Sequence, residues 1–147
     1  MKKKVLFVLC TMLLSLIGVF SFGESKASAD YSTGWSSFHS ADGTYDGILT
    51  TSTYDRTVSV SVRGLWQASF DGSPYIPGYA DNLRVRLCNV STGACTSYRE
   101  LFYGGYQDGH KVWNGWFYEM KVGKFYVDIA DIMPGRYMIG ERKILVR

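Results

Sequence analysis

The sequence predicts an all-β protein, a single antiparallel β-sandwich of immunoglobulin-like or jelly-roll-like build with about seven to nine short strands. Three observations predict it. Apolar residues recur at every second position without a sustained helical period, glycine-rich turns break these runs at even spacing, and two cysteines flank one of the turns.

Residues 1–29 read as a secretory signal peptide outside that fold. Lys2, Lys3 and Lys4 form the basic head, Val5 to Phe22 the apolar run, and Ala27-Ser28-Ala29 a small-residue cleavage site before Asp30. The apolar run is 18 residues, near the lower limit for a membrane span. Thr11, Ser15, Gly18 and Ser21 interrupt it and the cleavage site follows, so removal is expected rather than anchoring. Cys10 lies in mid-run after Leu9, the wrong place for lipid attachment. The expected working protein is one domain, residues 30–147, secreted and without stable membrane insertion after cleavage.

Residues 30–43 are polar apart from Trp35 and Phe38, and form either a flexible lead-in or an edge strand. Tyr45 to Thr51 is a strand. Val58, Val60 and Val62 share one face against Ser59, Ser61 and Arg63, and Leu65 to Phe70 makes a further strand. Leu83, Val85 and Leu87 alternate with Arg84 and Arg86, a turn follows over 89–94, and 96–103 resumes an extended pattern, which is a hairpin with Gly93 free to take positive φ. Trp116, Tyr118, Met120 and Val122 alternate with Phe117, Glu119 and Lys121; Phe125, Val127 and Ile129 follow, for a second hairpin turning near Val122-Gly123-Lys124. A turn at Met133-Pro134-Gly135 leads into Arg136 to Ile139, and Ile144 to Val146 closes the domain. Pro134 to Ile139 resembles the turn-then-strand found late in many immunoglobulin-like and carbohydrate-binding sandwiches, a resemblance that identifies no family.

Cys88 and Cys95 are the only cysteines after Cys10, and an even count in an exported chain reads as one structural disulfide rather than a redox pair, since the spacing is not Cys-x-x-Cys. With Cys88 facing Cys95, regular pairing puts Arg86 opposite Ser97 and Arg84 opposite Arg99, away from the Leu83 face. Like charges directly opposed need an offset, such as Glu119 or solvent. Alternatively, Arg84, Arg86 and Arg99 form a patch for carboxylate or phosphate groups. Asn89-Val90-Ser91 matches a glycosylation sequon, discounted because the export signal is of bacterial type.

Composition narrows the function. Residues 30–147 carry twelve Lys and Arg against twelve Asp and Glu, a formal net charge of zero, so the basic surplus that nucleic-acid binding requires is missing. His39 and His110 are the only histidines, and no Gly-x-Ser-x-Gly, His-Glu-x-x-His or phosphate-loop pattern occurs. No enzyme activity and no cofactor are expected, with an unrecognised carboxylate pair in a small hydrolase as the remaining catalytic alternative. Asp42 and Asp46, in two neighbouring Asp-Gly steps, fit an ordinary tight turn better than a calcium loop, and no metal is expected.

Aromatic residues give the positive signal. Eleven Tyr, four Trp and five Phe fall within 30–147. Residues 71–82 form a loop holding Tyr75 and Tyr79, and residues 103–110 a loop holding Tyr103 and Tyr106. Long aromatic loops in a small domain are commonly binding loops, and flat rings stack on sugars. The alternative use of these tyrosines is to cap the core. The expected function is therefore a non-enzymatic binding module at or outside the cell envelope, with a glycan or cell-wall polymer as ligand. A protein-directed role, as inhibitor of an extracellular enzyme or as a toxin, is the alternative.

Overall fold

Valines at alternate positions set the centre of the structure. Val58, Val60 and Val62 are completely buried, and the strand they belong to is flanked on both sides. The computed structural model describes residues 30–147; the expected signal peptide and Cys10 lie outside the described residues. The strands are β1 (Tyr31–Ser32), β2 (Ser36–His39), β3 (Gly47–Thr51), β4 (Val58–Ser69), β5 (Ile76–Pro77), β6 (Leu83–Asn89), β7 (Phe102–Gln107), β8 (His110–Phe117), β9 (Gly123–Asp131) and β10 (Arg136–Val146). All pairings are antiparallel. The larger sheet has seven strands in the order β1-β10-β4-β8-β7, with β2 also on β10 and β5 on β4, and the smaller has three in the order β3-β9-β6.

The two sheets share one core. Val58, Val60, Val62, Ile144 and Val146 from the larger sheet and Leu83, Val85, Leu87, Val127 and Ile129 from the smaller all belong to it. Each such side chain contributes roughly 1.5–3 kcal/mol by leaving water, before ordering costs.

Four sequence expectations change. The stretches read as separate short strands at 58–63 and 65–70 are one strand of 12 residues, and those at 136–139 and 144–146 are one of 11. Both bend at a register shift where Gly64 and Leu65 oppose Gly140, with Gly64 at φ 59°, so a β-bulge was read as a break. The second hairpin is absent: β8 lies in the larger sheet and β9 in the smaller, so 118–122 crosses between them. Alternation had put Trp116 and Tyr118 on the face of Met120. Instead Phe117 and Met120 are buried while Tyr118 is exposed, because Glu119 takes φ 52° and reverses the alternation. Arg56 holds this crossover, donating from Nε to the Met120 carbonyl and from Nη2 to that of Glu119.

The expected 103–110 loop is a hairpin of β7 and β8. Asp108 and Gly109 occupy φ 51° and 78°, the pair of positive values that a two-residue type I′ turn demands and that glycine accepts most cheaply. The fourth change concerns the cysteine hairpin. Cys88 and Cys95 are bonded, with Sγ–Sγ 2.01 Å, but Val85 pairs with Arg99 rather than Tyr98. The Thr96 amide donates to the Leu87 carbonyl, so Ser97 and Tyr98 together oppose Arg86. This bulge moves Arg84 out of register with Arg99 and brings it to Glu100, at 3.2 Å. The 30–43 lead-in supplies β1 and β2, edge strands on β10.

Reducing the disulfide should lower stability by about 2.5 kcal/mol, the loop-entropy value for so short a ring, and leave the sheets intact. Thermal melts with and without reductant check this; an unchanged midpoint would mean that the turn holds itself.

Candidate binding site

Twelve of the twenty aromatic side chains in the described residues are exposed, so the aromatic load serves the surface more than the core. One group lines a cleft of about 420 Å³ made by Tyr98, Arg99, Glu100, Phe102, Trp116 and Tyr118. Three local features build it. The bulged segment after Cys95 leaves β6 and crosses to the larger sheet, bringing Tyr98 to Glu100 beside β8. β7 begins at Phe102, which pairs with Asn114, so it ends short of Trp116 on β8. Phe117 pairs with buried Val58, which sends Trp116 and Tyr118 to the outer face, and their rings lie parallel within 7°, centroids 6.2 Å apart.

Charge in this cleft is uneven. Glu100 is engaged by Arg84, whereas Arg99 has no ion pair among the described residues. The Arg147 guanidinium lies 5.2 Å from the Trp116 ring centre, a further cation over the aromatic wall. Such a surface stacks flat rings and bonds polar substituents at their edges.

The predicted residues do not form one site. Tyr75 packs on Tyr137, edge to face with ring centres 6.5 Å apart, and Tyr137 also stacks on His39 at 4.4 Å. Tyr79 is exposed and leads into a 3-10 turn at Ala80–Asn82. Tyr103 and Tyr106 contact each other at 6.2 Å on β7, and among the described residues no ring contact joins them to Tyr75 or Tyr79. The arginine patch separates too. Arg86 is bonded to Asp128 at 2.6 Å and lies over the Tyr98 ring, so its charge stays firmly held; Arg84 is spent on Glu100 and on the carbonyls of Asp81 and Leu83. Of the three, only Arg99 reaches the aromatic cleft.

No family model, curated protein or solved structure matches the chain. Functional inference therefore rests on the chemistry of this surface.

Sequence reasoning missed Tyr98, Phe102, Trp116 and Tyr118. The available signal was Trp-Phe-Tyr at 116–118, three aromatics in a row, of which an alternating strand must expose either one or two.

The carboxylates can be placed as well. Asp46 is buried, accepts a 2.8 Å bond from the Ile129 amide at Oδ2, and has its pKa pushed up to about 6, chiefly by burial. Asp42 accepts from the Thr44 amide and hydroxyl, which lowers its pKa. Among the described residues, no three His, Cys, Asp or Glu side chains are placed to hold a metal ion.

Proposed function

We propose that this protein is a secreted, non-enzymatic binding module acting at or outside the cell envelope, built as a β-sandwich, with a glycan or cell-wall polymer as ligand. The parallel rings of Trp116 and Tyr118 in an open cleft carry this reading, because two flat aromatic faces beside free polar groups suit sugar rings. The disulfide supports an oxidising location.

Trp116→Ala should weaken retention on purified cell walls or polysaccharide roughly threefold to tenfold, the worth of one aromatic stacking contact. Its melting temperature should stay near the parent value, since the ring lies on the surface side of β8. Equal retention in the variant would remove the cleft from the binding function.

One observation favours a protein-directed role as the second reading. Residues 91–94 of the 89–94 turn are exposed, braced by the disulfide and tied at the base by Asn89 Oδ1, which accepts from the Ser91 and Thr92 amides. A rigid projecting turn is what an inhibitor presents to an enzyme. Capture of one defined extracellular enzyme from culture medium, lost on exchanging residues 90–94, would favour it.

A further inference from the structure

Arg142 occupies an unusual place. It pairs with Val62 on β4 and Ser36 on β2, so its side chain leaves β10 on the face of the buried valines and runs toward the smaller sheet. Gly47 at the start of β3 lets it pass: a Cβ there would lie 3.2 Å from both Cζ and Nε of Arg142. Nε donates to the Asp46 carbonyl. Among the described residues neither terminal nitrogen of this guanidinium has a hydrogen-bond partner, and no carboxylate lies within ion-pairing distance.

Two clefts of about 610 Å³ meet at this side chain and share Tyr45 as a wall. One also contains Asp42, Asp46 and Glu141, so it repels anions. The other contains Tyr31, Trp35, Tyr45 and Tyr126 and no charged group besides Arg142. The Tyr45 and Tyr126 rings are stacked 4.4 Å apart within 1° of parallel. Partial burial lowers the Arg142 pKa from its ordinary value, the expected mark of a cation drawn from water. Asp46 opposes this shift from beyond salt-bridge distance, so the guanidinium has a nearby carboxylate but no direct ion pair, and an anion entering the second cleft would supply one.

We propose that this second cleft binds a carboxylate-bearing sugar residue, a hexuronic acid, with the carboxylate on the two terminal nitrogens of Arg142 and the ring against the aromatic walls. A planar fork meeting a carboxylate is bidentate, which fixes the orientation of a single acidic sugar. The inference extends the glycan reading to a place on the molecule separate from Trp116.

Calorimetric titration with tri-galacturonic acid and with its methyl ester tests it. The acid should bind, and the ester should bind about tenfold or more weakly, because esterification removes the charge-assisted pair. Arg142→Gln should weaken the acid by a similar factor, and Arg142→Lys by less, since an ammonium keeps the charge and loses the fork. Trp116→Ala should leave this titration unchanged even where it weakens retention on neutral polysaccharide, so failure of one reading is distinguishable from failure of the other. Because Arg142 also bonds the Asp46 carbonyl, its variants can lose stability; in the parent protein, the Arg142 Nε–H resonance should then shift with the acid and not with the ester. Absence of binding by the parent, equal binding of acid and ester, or loss of acid binding in Trp116→Ala would each overturn the proposal.

Discussion

The melting temperature of this protein should fall as the pH is raised from about 4 to about 7, and Asp46→Asn should flatten that slope. Asp46 is only 7% exposed, and the backbone donors facing it, Ile129 and more weakly His39, do not make up for lost hydration. Neighbouring Asp42 and Asp128 push further in the same direction, and the result is a pKa raised from 3.8 to about 6. The native state therefore holds this proton more tightly than the unfolded chain does. Stability from the neutral carboxyl is fully present below the unfolded pKa and is lost as the pH rises through about 6. Partial water access at the cleft reduces the full linkage value, leaving a contribution of about 2 kcal/mol. Asparagine keeps an acceptor for Ile129 and carries no charge, so the variant should be the more stable protein at neutral pH. Asp42 and Asp71, whose pKa values are lowered by bonds from Thr44 and Ser73, act oppositely and only in more acidic solution. A parent midpoint that rises between about pH 4 and about pH 7, with the same slope in Asp46→Asn, would show that Asp46 is ionised at little cost.

Gly140→Ala should cost roughly 3 kcal/mol, a fall in Tm on the order of 10 °C. A methyl there would come within 2.8 Å of the Arg63 carbonyl oxygen and 2.9 Å of both Leu65 Cδ2 and Phe38 Cε1. The first of these is backbone at the bulge and cannot yield without unmaking the β4–β10 register. Gly34→Ala serves as the control, since nothing lies within 4 Å of its added carbon, and it should melt close to the parent. Equal effects at the two positions would mean that the bulge relaxes freely.

These bulges also mark the limit of what the sequence makes legible. The valines at 58, 60 and 62 and the alternation at 83–87 report burial directly, so the all-β class and the inward faces follow from local pattern. The Cys88–Cys95 link follows from count and spacing. Pairing partners are different, since they depend on residues far apart in the chain. Gly64 within β4 looks the same in a row of letters whether the chain turns back or bends and continues. Likewise Glu119 gives no local warning that it takes positive φ, so alternation carried back from Met120 puts Trp116 and Tyr118 on the wrong face. The aromatic cleft was hidden for this reason, because it combines a register slip after Cys95 with a reversal at Glu119. Arg142 was hidden by distance, as its neighbours Gly47, Tyr45 and Tyr126 lie on other strands. Asp108-Gly109 was readable as a hairpin turn, but the tyrosines around it drew it into a loop.

The pairing of β10 with both β1 and β4 sets the order in which the chain can fold. The Ile144 amide bonds the Thr33 hydroxyl across 111 residues of sequence, and β10 is the strand to which β1, β2 and β4 all attach. Until β10 is available, β1 and β2 have no neighbour and one edge of β4 is bare, so the larger sheet cannot close early. Closing so long a loop is entropically slow, and such topologies form late and all together.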